Sequence, residues 1–135
     1  MKNLTLTKFF LIFIFISLVS GCARITEAGK EVWGSSVAHL QRVRKDAKAM
    51  EFALPYETCF KKTQSILKDA GAKVYLINEK EKYLAAMNFK GYVDTTQVGV
   101  FFTGIDNSTT QIEVSSMNPR LAEEVADLLF NGLKG

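Results

Sequence analysis

The chain has 135 residues, 47% of them apolar and 23% charged, with 17 basic and 14 acidic side chains, one histidine and two cysteines. That length builds one compact domain and not two. So few histidines and cysteines exclude a Cys/His zinc cluster, a Cys/His dyad and a Ser/His/Asp triad on a rigid core.

Lys2 and Lys8 precede an apolar run, Phe9–Val19, with no acid before it. The run has the length of a signal-peptide hydrophobic region and is too short for a membrane span, which needs about 20 apolar residues. Val19-Ser20-Gly21-Cys22 follows. Small residues suit a signal peptidase, and a plain secretory peptide needs no cysteine there. The tetrapeptide resembles the lipobox of bacterial lipoproteins. The resemblance implies cleavage between Gly21 and Cys22, a diacylglycerol on the Cys22 thiol and an acyl chain on the new amine. Each buried CH₂ contributes about 0.8 kcal/mol, so two or three chains anchor stably where one does not. Residue 23 is Ala and not Asp. By the same resemblance the destination is the periplasmic face of an outer membrane, or otherwise the outer leaflet of the plasma membrane.

Residues 1–21 therefore read as a signal peptide, 22–50 as a lipidated linker and spacer helix, and 51–135 as a globular domain. Lys2 and Lys8 carry two of the three net positive charges of the whole chain. Past a poor helix start at Gly29, Gly34, Ser35 and Ser36, the residues Val37, Leu40, Val43 and Ala47 recur at helical spacing with a basic flank. This predicts a helix over 36–48 carrying His39. It acts as a solvated spacer, docks on the sheet or a partner, or lies on anionic lipid.

Glu51–Leu54 alternates briefly and predicts a first strand. Tyr56, Cys59, Phe60, Thr63, Ile66, Leu67 and Ala70 form one face of an amphipathic helix, with Pro55 before it and Gly71 as its C′ residue. Cys59 on that face reads as a buried small hydrophobe. Four strands follow at Lys73–Asn78, Tyr83–Phe89, Gln97–Ile105 and Thr110–Met117, with short connections that imply antiparallel neighbours. Gly99 and Gly104 mark a bulge or a close contact in the third of these. Asn118-Pro119 caps a last helix through Leu121, Val125, Leu128 and Leu129, which Gly132 closes. The fold class is α+β: a two-layer β-α-β-β-β-β-α unit, an antiparallel sheet with two helices on one face, preceded by the spacer helix.

Strand parity sets Tyr75, Ile77 and Phe101 opposite Val74, Leu76, Val98, Val100 and Phe102. If the latter set meets the helices, the former forms an apolar patch on the other face, covered by the 36–48 helix or a second protomer, or offered to a partner. The loop 90–96, with Tyr92 and Asp94, combines an aromatic, a carboxylate and a flexible Gly91. Tyr75, Ile77, Phe101, Tyr92 and Asp94 are thus the candidate partner surface. No catalytic residue, metal ligand or cofactor beyond the lipid on Cys22 is expected. Nucleic acid is excluded as a partner, because 51–135 carries nine basic against eleven acidic residues.

From Phe52 to Leu133 the element order is similar to the helix-grip domains of small envelope lipoproteins, including the lipoprotein subunit of the outer-membrane β-barrel assembly machine and small uncharacterised lipoproteins. No functional residue of those families maps onto this chain. The resemblance implies a non-enzymatic envelope accessory or scaffold working by protein–protein contact. The alternative is a small-ligand or lipid-binding module with a cavity between sheet and helices. Homo-oligomerisation is compatible with either.

Overall fold

The computed structural model describes residues 37–135. The expected signal peptide, the expected cleavage and lipidation site at Gly21–Cys22 and the start of the expected linker lie outside the described residues.

Residues 37–42 are helical and tighten into a 3-10 turn, Val43–Asp46, which ends where Ala47 turns extended and donates its N–H to the Arg44 carbonyl. Strand β1 starts at once, Lys48–Phe52. The predicted helix to 48 thus stops early, and the first strand begins before Glu51. Val37 and Leu40 are buried, whereas Val43 and Ala47 are only half-buried. The compact unit begins at Val37, so residues 37–50 belong to the domain and not to the linker.

Helix α1, Tyr56–Asp69, buries Cys59, Phe60, Thr63 and Leu67, the face that the spacing predicts. It ends in a paired-bond C-cap: Gly71 N–H reaches the Lys68 carbonyl at 2.9 Å and Ala72 N–H reaches Leu67 at 3.0 Å. That geometry needs a left-handed residue between them, and Gly71 supplies it at φ 79°. Strands β2 (Lys73–Asn78), β3 (Tyr83–Met87), β4 (Val98–Asp106) and β5 (Thr109–Ser116) follow. Helix α2, Pro119–Lys134, closes the chain. Asn118 Oδ1 accepts from Leu121 N–H at 3.2 Å, satisfying one of the amides a helix start leaves open. Gly132 does not end α2. It lies inside the helix, where an added Cβ would sit 2.6 Å from Ile66 Cδ1. The two helices pack closely at this point.

The sheet order is β1-β5-β4-β3-β2, every neighbour antiparallel. Strands β2 to β5 form the expected meander, and β1 joins the free side of β5. Both helices lie on one face. There Phe52, Leu84, Val98, Val100, Phe102, Ile112 and Val114 meet Cys59, Phe60, Leu67, Leu121, Val125, Leu129 and Phe130. Tyr56, Phe60 and Phe102 pack as an aromatic cluster with ring centroids 5.3–5.9 Å apart. Full burial of each such side chain contributes about 1.5–3 kcal/mol, so this layer dominates stability.

Candidate partner surface

The opposite sheet face forms a second, smaller core. Tyr83, Ala85 and Phe101 point to it, and Val37 and Leu40 of the leading helix cover them, with Tyr75 and Leu76 at the side. Of the three coverings open in the sequence, docking on the sheet is the one seen. It also explains why Tyr83, Leu84, Ala85 and Ala86 do not alternate in burial: β3 is covered on both faces.

Specific chemistry holds the leading segment in place. Gly99 lies beneath it; a Cβ there would come within 3.3 Å of Leu40 Cβ and 2.9 Å of Phe101. The buried Ser115 hydroxyl donates to the Leu40 carbonyl at 3.0 Å, occupying an acceptor that a helix end leaves open. The Arg44 guanidinium donates from Nε to Glu113 Oε2 at 2.9 Å and also engages that oxygen through Nη2. Its Cζ sits 4.5 Å above the Phe101 ring. The Arg44 side chain is 37% exposed and Glu113 20% exposed, so the ion pair is worth about 0.2–1 kcal/mol and fixes position more than it stabilises. Beyond this patch the face turns polar: Thr103, Gln111 and Glu51 continue the parity of Phe101 and Glu113.

The five residues singled out as a partner surface do not form one surface: Tyr75 and Phe101 stay together, and Ile77, Tyr92 and Asp94 lie apart from them. Phe101 is 2% exposed, and Tyr75 is half-buried at the rim of the covered patch. A bulge between Val74 and Leu76 shifts the parity of β2, so Ile77 pairs with Leu84 of the main-core face and is 45% exposed. Simple alternation along KVYLIN cannot reveal that shift. Tyr92 and Asp94 sit at the other end of the sheet, in the 88–97 connection. Tyr92 packs on the main core and faces the first turns of α2. Burial, then its hydrogen bond with Glu124 and that carboxylate's charge, raise the Tyr92 hydroxyl above the ordinary tyrosine range. The Asp94 side chain is exposed, while its backbone carbonyl accepts from Asn88 N–H at 3.2 Å.

This loop end carries two large exposed apolar residues, Val93 at 72% and Met117 at 65%. The Ser116 hydroxyl ties the two segments by donating to the Gln97 carbonyl at 2.7 Å. Beside Met117 lies an open groove of about 270 Å³, lined among others by Val43, Asp46, Lys48, Pro119 and Glu123. A second open depression of about 430 Å³ lies on the outer side of α1, by Gln64, Ser65, Lys68 and Val74. Both open to solvent and do not enclose a ligand-sized volume as a closed cavity would.

Cys59 is fully buried, with its thiol 3.9 Å from the Leu54 carbonyl. Burial pushes the thiol up, against weaker opposing effects of Thr110 and Lys62. A thiol so held carries little thiolate and is a poor nucleophile.

No protein-family model and no curated protein matches this chain. Among solved structures, the chain is similar to an uncharacterized protein from Bacillus thuringiensis. The two share 17% identity over 65% of this chain and 92% of that one, at a TM-score of 0.47. At that level the likeness carries neither a family nor an activity.

Proposed function

We propose that this protein is a lipid-anchored accessory or scaffold protein of the cell envelope, acting through protein–protein contact and not by catalysis. The signal-like N-terminus and the Val19-Ser20-Gly21-Cys22 motif support the anchor. The observation that supports the contact role is the docking of residues 37–46 on the second face of the sheet. The segment after the linker is held by apolar packing, a buried hydrogen bond and an Arg44–Glu113 pair. A segment that serves only as a spacer needs none of these. Val93 and Met117 add exposed apolar surface at the loop end. The ligand-binding alternative requires room between sheet and helices, where aromatic and aliphatic side chains instead interdigitate.

In-cell cross-linking of the tagged, lipidated chain, followed by detergent extraction and mass spectrometry, tests the reading. A stoichiometric envelope partner is the expected result; self-cross-links alone would overturn it. Cys22→Ala should abolish lipid labelling and leave unprocessed precursor. Normal processing of that variant would remove the anchor from the account.

A further inference from the structure

The leading segment and the face beneath it are matched as ligand and receptor. On the receptor side, Gly99 leaves a floor without a side chain. Ser115 offers a hydroxyl to a helix carbonyl, Glu113 a carboxylate and Phe101 a ring face to a guanidinium. On the ligand side, Val37 and Leu40 stand one turn apart, with Arg44 four residues further on. The attachment is small: of residues 37–46 only Val37 and Leu40 are buried, and the ion pair is partly exposed. Segments held so lightly open locally before the rest of a fold does.

Resting on the reading above, we propose that residues 37–46 are a detachable strap and that the sheet face under them receives an amphipathic helix from an envelope partner protein. The partner helix carries the same pattern, two apolar residues one turn apart and an arginine four residues beyond the second. Charge and extent select this occupant. Glu113 requires a cation at that position, and the polar Thr103, Gln111 and Glu51 bound the apolar patch to the footprint of one short helix. Release of the strap also lengthens the tether. From Cys22 to Val37 the chain reaches at most about 50 Å, and from Cys22 to Lys48 about 90 Å, at roughly 3.4 Å per residue. Partner capture and longer reach are one event, and each favours the other by linkage.

The test uses the full chain in detergent and a fluorescent synthetic peptide of residues 35–47. Leu40→Ser weakens the strap and leaves the receptor face intact. The peptide should bind this variant at least about tenfold more tightly than the unaltered chain, because the competing strap no longer occupies the face. Glu113→Lys added to Leu40→Ser should abolish the gain. Equal binding to the unaltered and Leu40→Ser chains, or no binding to a Leu40→Ser chain that still melts cooperatively, overturns the proposal. Should Leu40→Ser not fold, Arg44→Ala takes its place with an expected gain of about two- to fivefold, the most that the ion pair can supply. Concentration-dependent dimers that the peptide dissolves would assign the face to a second copy and overturn the partner. The cross-linking experiment above fails separately. A partner caught without any peptide binding removes only the strap, and peptide binding without a captured partner keeps the receptor face and removes the accessory role.

Discussion

Thr63 is fully buried on α1, and its hydroxyl has no hydrogen-bond partner. A buried polar group left unpaired costs about 1–3 kcal/mol, and valine has nearly the same shape. Thr63→Val should therefore raise stability by about 1 kcal/mol in chemical denaturation; a loss would mean the hydroxyl has a partner. Gly71 adopts φ 79° with open space around it, so Gly71→Ala pays only for the left-handed backbone. It should destabilise by about 1 kcal/mol. At Gly132 two effects oppose. Alanine favours a helix interior by about 1 kcal/mol over glycine, but its Cβ meets Ile66. Gly132→Ala should be stabilising in an Ile66→Val background and less so, or destabilising, alone; additivity in that cycle would place the helix crossing elsewhere.

The titrating residues give a pH expectation of definite sign. Tyr56, Tyr92 and Cys59 all have raised values, burial being the largest cause in each. A raised value means that the fold favours the protonated form. Their contribution is whole below the unfolded values, about 8.5 for Cys and 10 for Tyr, and is lost as pH rises through the folded ones. Stability should fall above about pH 9. At the acid end Asp106 behaves oppositely. The Ser108 backbone N–H, then its hydroxyl, hold the carboxyl low, so its support of the β4–β5 turn is present above the unfolded value and lost as pH falls. A denaturation midpoint flat from neutral to pH 11 would contradict the alkaline expectation.

Among the elements, those whose burial is one-sided were legible in the sequence. Helix α1 and α2 show a 3.6-residue apolar period because each meets the sheet along one stripe, and Asn118-Pro119 and Gly71 are residues that helix ends favour. Strand β3 does not alternate because it is covered twice, and β2 changes parity at a bulge that no side-chain pattern encodes. That bulge is why Ile77 does not share a surface with Tyr75 and Phe101. Gly99 was readable as a close contact, but its partner Leu40 lies far away in sequence. Arg44 and Glu113 look like ordinary solvated charges until the fold brings them together. The strap is thus an element in its own right. Arg44→Ala and Glu113→Ala should each cost about 0.2–1 kcal/mol, and the double variant less than the sum, since both break one pair. Full additivity would show that the pair does not couple.

At the scale of the molecule, a five-stranded sheet is buried on one face by two long helices and on part of the other by a short segment that follows the linker. The first layer makes the domain stable. The second makes residues 37–46 a docked part of the domain. If residues 37–46 merely spaced the domain from a bilayer, neither the Ser115–Leu40 bond nor the seat at Gly99 would be needed.

Hydrogen exchange on the full chain, read at the amides of residues 41–46, tests this most directly. These amides should exchange at least about tenfold more slowly than a free chain, the protection given by roughly 1.4 kcal/mol of local stability. They should exchange faster than those of β4 and β5, and Leu40→Ser should remove the protection without affecting the sheet. Exchange at the free-chain rate in the unaltered protein would mean that the leading segment does not dock, and the strap and its receptor face would fall together.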